Sequence, residues 1–283
     1  MSDIDPYADT ADRTVMADAA GALLFTYTVT ESARTAQPWA DQVWRPSDVT
    51  VEAVCETAMA AFPGWRLATA DTALVAALER SGATELRHAH TMTHPLVDLP
   101  DVRRVEGLRV EQLTVVMLDE HADELGAMHV AAFPADHPDA IDGDAAARAE
   151  QLRATGRGEL LGPLMDVSRA AWARDLLVGA CLVVDRPGRP PHAGPWVIDV
   201  FRDPGAPSGV GEALLAEAMR AAAGHGLAAL SLAVSHDNVR ARTVYARLGF
   251  RDVLEDWTVE LPAEGAAPAS RSFRHNEPPW THG

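Results

Sequence analysis

The segment RDPGAPSGVGEALL, residues 202–215, has a composition that suits the binding of a phosphate group. It places Gly209 and Gly211 where an extended segment passes into an apolar-periodic helix. The first turn of a helix has about four backbone N–H groups without helical partners, and the helix dipole adds positive charge there. Glycines at such a point let a pyrophosphate approach the backbone closely. A plain glycine-rich turn is the alternative interpretation, because the spacing fits neither a Walker loop nor the dinucleotide-binding fingerprint.

A second segment, LSLAVSHDNVRARTVYARLGFRDV, supplies a side chain that can donate a proton. It predicts a strand and then a helix, with Asn238 near the N-cap and Gly249 just after the last turn. One face of this helix carries Ala241, Val244, Tyr245 and Leu248. The hydroxyl of Tyr245 could act as a general acid. The same spacing also suits a tyrosine that simply packs in the core.

Taken together, the two segments resemble the GNAT superfamily, the acetyl-CoA-dependent N-acetyltransferases, over residues about 107–262. That family combines a Gly-x-Gly loop at a helix start with a strand, an Asn and an Ala-x-x-x-Tyr helix that ends in Leu-Gly-Phe. This chain has, in order, Gly209-Val210-Gly211, Asn238, Ala241, Tyr245 and Leu248-Gly249-Phe250. The alternation of strands and helices independently predicts an α/β fold. The resemblance specifies it as a GNAT-type mixed β-sheet flanked by helices.

The resemblance also implies a mechanism, in which a substrate amine attacks the thioester of acetyl-CoA directly and Tyr245 protonates the departing thiolate. It implies that the end of the preceding strand holds the pantetheine arm through Val200, Phe201 and Arg202. Cofactor contacts are likewise implied for Gly209, Val210, Gly211, Glu212, Ala213 and Asn238. The family's Arg or Gln before the first glycine is Ala206 here, and Pro207 has no N–H. Main-chain N–H groups are therefore expected to hold the pyrophosphate with little help from side chains.

The general base is not identified by the sequence. Asp199 on the strand and His236 before Asn238 are the candidates, and water is a third. The segment ADHPDAIDGDAA lies where GNAT proteins usually build their substrate wall. Its carboxylates could attract an ammonium group or could simply cap helices in a solvated loop. They belong to Asp136, Asp139, Asp142 and Asp144.

Residues 19–105, which precede the part of the chain that resembles the GNAT superfamily, are interpreted as a degenerate copy of the same fold. When Gly82 is aligned with Gly249, Leu78 falls at Tyr245 and Asp71 falls at Asn238. This partial GNAT-like α/β repeat lacks the tyrosine and any Gly-x-Gly, so we expect it to brace the catalytic domain without binding CoA. The predicted organisation is a mobile tail over 1–18, the degenerate domain over 19–105, the catalytic domain over 106–262 and a second tail over 263–283.

A histidine-rich strand, RHAHTMTH, raises the question of a metal. Alternation along a strand would place His88, His90, Met92 and His94 on one face. Three imidazoles and a thioether could bind a soft transition metal. A packed or interface strand is the other interpretation. We favour it and predict no metal, because the family needs none.

Bulk properties narrow the classes of partner. The net charge of −17 repels phosphate backbones, so nucleic acid and anionic membranes are not expected partners, whereas a small cationic amine is. Two cysteines, Cys55 and Cys181, give no disulfide framework. The N-terminus lacks the basic and apolar stretches of a signal peptide. We therefore predict a cytoplasmic enzyme, with a homodimer left open.

Overall fold

The computed structural model describes residues 5–7, 13–31, 38–140, 143–188 and 190–263. Asp142 and all of the predicted C-terminal tail beyond residue 263 lie outside these ranges. The strands are β1 (Arg13–Ala17), β2 (Leu23–Glu31), β3 (Pro38–Trp44), β4 (Arg66–Thr69), β5 (Thr84–His94), β6 (Leu108–Gln112), β7 (Arg169–Ala173), β8 (Leu176–Arg186), β9 (Gly194–Arg202), β10 (Leu230–Ser235) and β11 (Arg251–Glu260). The helices are α1 (Val51–Ala61), α2 (Thr72–Arg80), α3 (Val115–Glu120), α4 (Ala122–Ala132), α5 (Ala145–Gly156), α6 (Val210–Gly224) and α7 (Val239–Arg247).

The chain divides into two compact units. Unit 1 comprises the chain up to Leu86 together with the residues from Trp257 onward, and unit 2 is Arg87–Asp256. The predicted domain ranges differ from these units, because β5 follows α2 in sequence but pairs with β10, while the end of β11 pairs with β4. Residues 13–17 also differ from the predicted N-terminal tail, since they form β1 and pair with β2.

Unit 1 contains a mixed sheet in the order β1-β2-β3-β4-β11, in which β3 and β4 run parallel. Its core forms where α1 and α2 bury their apolar faces against the sheet, with Phe25, Leu67, Leu74 and Leu78 almost fully buried. Asp71 caps α2 by accepting hydrogen bonds from the N–H groups of Ala73 and Leu74. The series β3-α1-β4-α2 therefore has both helices packed against the sheet and a capped start to α2.

Unit 2 contains strands in the order β5-β10-β9-β8-β7-β6, with β9 and β10 parallel and the other neighbours antiparallel. Two apolar clusters sandwich this sheet. One joins α6, through residues such as Leu214 and Met219, to one face. The other joins α3, α4 and α5, through Leu118, Leu125 and Leu152, to residues that include Leu182 and Phe201. Burial on both faces explains the continuous apolar run of β8.

No helix in the described parts of the chain has the length and apolar character needed to span a bilayer. Both cysteines are buried free thiols. Burial raises the pKa of the Cys181 thiol to about 12, so this thiol stays protonated and packs as a small apolar group.

Candidate active site

Strands β9 and β10 pair only near their starts. Ser231 pairs with Trp196 and Leu232 with Val197, whereas β9 continues to Arg202 and β10 to Ser235. Beyond these pairs, the edge of β9 that faces β10 offers backbone donors and acceptors to a ligand, because buried main-chain groups need partners. Val200, Phe201 and Arg202, predicted to hold the pantetheine arm, lie in this stretch.

A β-bulge in β9 directs the side chain of Asp199 toward α4. Leu182 of β8 pairs with Asp199 while the next residue, Val183, pairs with Val197, so Ile198 is an extra residue in β9. A bulge of this kind re-aims the neighbouring side chain. The carboxylate of Asp199 lies 2.8 Å from Nε2 of His129, which is almost fully buried in α4. The imidazole therefore fixes the position of a partly exposed carboxylate beside the opening between β9 and β10.

Helix α6 begins without a side-chain cap. Gly209 is its N-cap with φ 94°, a left-handed conformation that favours glycine. The N–H of Ala213 donates to the carbonyl of Gly209 at 2.8 Å, so the helix itself uses this predicted phosphate donor. The four preceding amides, of residues 209–212, are the ones that a helix leaves without partners. A Cβ placed on Gly211 would meet no atom within 4 Å, so space beside these amides is open.

The loop before α6 is held by Arg202. Its Nη1 donates to the carbonyl oxygens of Asp203 at 2.8 Å, Pro204 at 3.2 Å and Ala206 at 2.8 Å. The carboxylate of Asp203 in turn accepts a hydrogen bond from the N–H of Gly205 at 2.6 Å. These contacts account for an ordered loop that has Ala206 and Pro207 in place of the family's usual residues. They also occupy the guanidinium of Arg202 within the loop.

Tyr245 lies on α7 and packs, partly buried, against the α6 side of the core. Its ring centroid is 6.0 Å from that of Phe250. Among the described residues its hydroxyl has no hydrogen-bond partner. Burial raises the pKa of Tyr245 above its ordinary value, and the negative charges of Asp139 and Asp199 raise it further. The phenol therefore keeps its proton at neutral pH and has that proton available for a ligand.

Asn238 fixes the start of α7. Its Oδ1 accepts a hydrogen bond from the N–H of Ala241 at 3.0 Å, and its Nδ2 donates to Oδ2 of Asp139 at 2.6 Å. The other oxygen of Asp139 accepts from the N–H of Ser235 at 3.0 Å. The side chain predicted to contact the cofactor is thus engaged in joining β10, α7 and the acidic segment.

The four aspartates of the acidic segment, residues 135–146, differ in their contacts. Asp139 is tied to Ser235 and Asn238. Asp144 caps α5 by accepting from the N–H of Ala147 at 2.9 Å. Asp136 is exposed, and Asp142 lies outside the described residues. The helix-cap interpretation therefore holds for Asp144, and Asp139 is also structural.

The negative charge of Asp199 contributes to the raised pKa of Tyr245, whereas His236 has other partners. The Nδ1 of His236 lies 2.9 Å from Nε2 of His90, and its ring stacks on that of His88 at 4.0 Å. An imidazole nitrogen engaged in this way is a poor candidate for the general base. Asp199 is the better placed of the two predicted candidates.

Sequence reasoning missed two residues at this site. His129 lies within an apolar-periodic helix, where a histidine gives no signal of its partner on a distant strand. Arg247, in the last turn of α7, forms an ion pair with Glu212 in the first turn of α6. A cation close to the start of α6 could favour bound phosphate, and the basic character of that turn was visible in the sequence.

Comparisons with known proteins identify the family and the fold that this chain resembles. The model of the Acetyltransferase (GNAT) family matches residues 163–250. Residues 163–250 therefore form a GNAT acetyltransferase domain. A search of curated protein sequences finds no match.

Solved structures extend the likeness over most of the chain. A GCN5-related N-acetyltransferase from Sphaerobacter thermophilus has 15% identity and a TM-score of 0.61, covering 89% of this chain and 81% of its own. A tandem GNAT protein from the clavulanic acid biosynthesis pathway has 16% identity and a TM-score of 0.52, covering 86% and 81%. An acetyltransferase of the GNAT family from Colwellia psychrerythraea has 12% identity and a TM-score of 0.57, covering 88% and 85%. The predicted fold, a GNAT-type mixed sheet preceded by a partial GNAT-like repeat, is confirmed.

Proposed function

We propose that this protein is an acetyl-CoA-dependent N-acetyltransferase whose single active site lies in unit 2. The observation that carries the proposal is the opening between β9 and β10, next to the uncapped start of α6. An extended pantetheine arm can pair with the free edge of β9, and a pyrophosphate can accept from the amides of residues 209–212. The open space at Gly211 supports a ligand at this point, because packing within the protein does not require a glycine there.

The proposed chemistry is direct transfer. The carboxylate of Asp199, which His129 holds in place at 2.8 Å, accepts a proton from the ammonium group of the substrate. The neutral amine then attacks the thioester carbonyl, so a nitrogen–carbon bond forms, the carbon–sulfur bond breaks, and the nitrogen releases its second proton to solvent. Tyr245 donates its proton to the departing thiolate, and solvent then reprotonates the phenolate. A backbone N–H of Val200–Arg202 stabilises the negative charge on the carbonyl oxygen.

We propose a small cationic amine as the acceptor. Supporting features are the net charge of −17 and the partly exposed carboxylate of Asp199, which favour an ammonium group approaching the site. A protein N-terminus or a lysine side chain is the alternative acceptor of the same chemistry. We place the enzyme in the cytoplasm, in keeping with its two buried free thiols.

The altered loop gives a reason to weigh a second function. The guanidinium of Arg202 serves the loop, and Ala206 stands where the family has an Arg or Gln, so side-chain anchoring of the cofactor is reduced. Such a protein could bind acyl-CoA without catalysing transfer.

One experiment separates the two functions. The wild-type chain and a Tyr245→Phe variant are incubated with acetyl-CoA and a panel of amines, amino acid derivatives, aminoglycosides and peptides, and free CoA is measured. We expect turnover on at least one small cationic amine that falls sharply in the variant, with Tyr27→Phe in unit 1 as the matched control. Acetyl-CoA binding without turnover on any acceptor would instead establish the non-catalytic function.

A further inference from the structure

Three histidines and a glutamate in unit 2 form a cluster that the acetyl-transfer chemistry does not use. Each of His88, His90, His236 and Glu255 offers one ligand atom, and these four atoms lie within 4.8 Å of one another. Three elements supply them, namely β5, the turn after β10, and β11. Such a convergence from separate elements is more specific than the histidine-rich stretch of sequence alone.

The sheet itself sets this geometry. His90 pairs with Val234 in the antiparallel ladder of β5 and β10, so His88 stands directly opposite His236. A hydrogen bond from the N–H of His236 to the carbonyl of His88, 2.9 Å long, continues the ladder to that point. Because alternate residues of a strand share a face, His88 and His90 both present their rings to His236. The ring centroids of His88 and His90 are 4.0 and 5.1 Å from that of His236.

We propose that this cluster is a site for a divalent transition-metal ion, with Zn²⁺ as the fitting ion. Zinc bound at about 2.0–2.1 Å in tetrahedral geometry holds its ligand atoms about 3.3 Å apart. His88 Nε2 and Glu255 Oε1 are 2.6 Å apart, and His90 Nε2 and His236 Nδ1 are 2.9 Å apart. Glu255 Oε1 is 3.7 Å from His90 Nε2 and 3.8 Å from His236 Nδ1. These distances bracket the required one, so small side-chain movements create the coordination sphere.

Two further features fit a metal. Nδ1 of His90 lies 3.3 Å from Oδ1 of Asp252, so the nitrogen opposite the cluster faces a carboxylate, as in many zinc-bound histidines. His90 is nearly buried whereas Glu255 and His236 are about half exposed, which gives an ion a route of entry. The donor set of three imidazoles and one carboxylate favours zinc and its neighbours over Mg²⁺ or Ca²⁺. The guanidinium of Arg242, which donates to the carbonyl of His236 at 3.2 Å, is the cation that opposes binding.

The other members of the histidine-rich strand have different roles. Nδ1 of His94 accepts from the N–H of Leu96 at 2.9 Å, and Met92 is buried in the core that includes α6. Met92 and His94, which the sequence offered as ligands beside His88 and His90, therefore lie outside the cluster. The absence of metal that we expected stays a prediction, and the site proposed here is the alternative to it.

The test uses the full chain, stripped of metal with a chelator and dialysed. Calorimetric titration with Zn²⁺ should give one ion per chain. Replacement by Co²⁺ should give the intense visible absorption of a four-coordinate ion with nitrogen and oxygen ligands. Glu255→Gln, which preserves size at an exposed position, should weaken Zn²⁺ binding by about tenfold or more. His88→Gln should do the same.

His225→Gln is the control, since this exposed histidine at the end of α6 hydrogen-bonds the carbonyl of Ala221 and lies outside the cluster. It should leave Zn²⁺ affinity unchanged. The proposal is overturned if the wild-type chain shows no saturable Zn²⁺ binding. It is equally overturned if Glu255→Gln and His88→Gln, both still folded by circular dichroism, bind Zn²⁺ as tightly as the wild type. The readout is metal binding, so it does not depend on the proposed acetyl transfer.

Discussion

Helices α2 in unit 1 and α7 in unit 2 terminate with the same backbone geometry but carry different side chains at the matching position. Both have nine residues, and each is followed by a glycine with positive φ, 103° for Gly82 and 94° for Gly249. The N–H of Ala83 donates to the carbonyl of Leu78 at 3.0 Å, as the N–H of Phe250 donates to that of Tyr245. Leu78 is fully buried, whereas Tyr245 keeps a hydroxyl without a partner among the described residues. The same backbone thus carries a core residue in one unit and, in the other, the tyrosine that we propose as the proton donor.

The strands that precede these helices differ in a corresponding way. In unit 1 the parallel pairing of β3 and β4 extends to Val43 and Thr69, and the hydroxyl of Thr69 also donates to the carbonyl of Val43 at 2.9 Å. In unit 2 the pairing of β9 and β10 stops after Val197 and Leu232. A cofactor arm needs an unpaired strand edge, so only the second arrangement can accept it by this route.

The helix starts complete the contrast. Thr50 caps α1 by accepting from the N–H of Ala53 at 3.3 Å, which uses a donor that a phosphate would need. Gly209 has no side chain to do this for α6. Unit 1 therefore has paired strand ends and a capped helix start, and we call it closed. Unit 2 has an unpaired strand edge and an uncapped helix start, and we call it open.

The largest expected effect is a loss of kcat on substitution of Tyr245, whereas substitution of Leu78 should lower stability. Tyr245→Phe removes the proposed acid and should lower kcat by about 10²–10⁴-fold while the protein stays folded. Leu78→Ala leaves a cavity in a packed core and should lower the free energy of unfolding by about 2–5 kcal/mol. Steady-state kinetics and urea unfolding of both variants check this. If Leu78→Ala lowered kcat without loss of stability, the assigned roles would be wrong.

A smaller effect is expected from Gly211→Ala. A methyl group in the open space beside the free amides would displace a phosphate, at a cost on the order of 1–3 kcal/mol, or about 5- to 150-fold in Kd for CoA. Gly224→Ala, at the other end of α6, also meets no atom within 4 Å and should leave Kd unchanged. Calorimetry with CoA distinguishes the two variants, and equal affinities would contradict a phosphate site at the start of α6.

Thr50→Ala tests the side-chain cap at the start of α1. Loss of the cap should lower the free energy of unfolding by about 1 kcal/mol. It should not create a second CoA site, because β3 and β4 remain paired to their ends. Denaturant unfolding measures the first effect and calorimetry the second. A second binding event in this variant would show that the cap alone had kept unit 1 closed.

The smallest effect concerns pH. Burial raises the pKa of both Tyr27 in unit 1 and Tyr245 in unit 2 above the ordinary value of 10.0. Each tyrosine therefore stabilises the fold below pH 10, and this contribution is lost as pH rises from there through the higher folded pKa. Tyr27→Phe and Tyr245→Phe should each flatten the fall in stability with alkaline pH. Urea midpoints measured at several pH values above 9 check this, and an unchanged slope in both variants would contradict the burial.

Local periodicity and capping signals were enough to predict much of this fold. The correspondence of Asp71 with Asn238 and of Gly82 with Gly249 could be predicted from the sequence. An N-cap needs a side-chain acceptor, and the residue just after each helix needs a left-handed conformation. The pairing of β5 with β10 and of the end of β11 with β4 could not be predicted, because strand order depends on pairing between residues far apart in sequence.

The site shows the same limit. The open start of α6 follows from local glycines, but the contact of His129 with Asp199 depends on a bulge in β9 and on packing of α4. The histidine-rich strand likewise gained its partners, His236 and Glu255, only through the sheet. Side chains that meet across elements leave no spacing signal in a single sequence.

The stoichiometry of acetyl-CoA binding to the full chain tests the central claim most directly. An open unit 2 and a closed unit 1 predict one molecule per chain in an isothermal titration, with affinity that falls in Gly211→Ala. Two molecules per chain, or one whose affinity is unaffected by Gly211→Ala, would contradict the account.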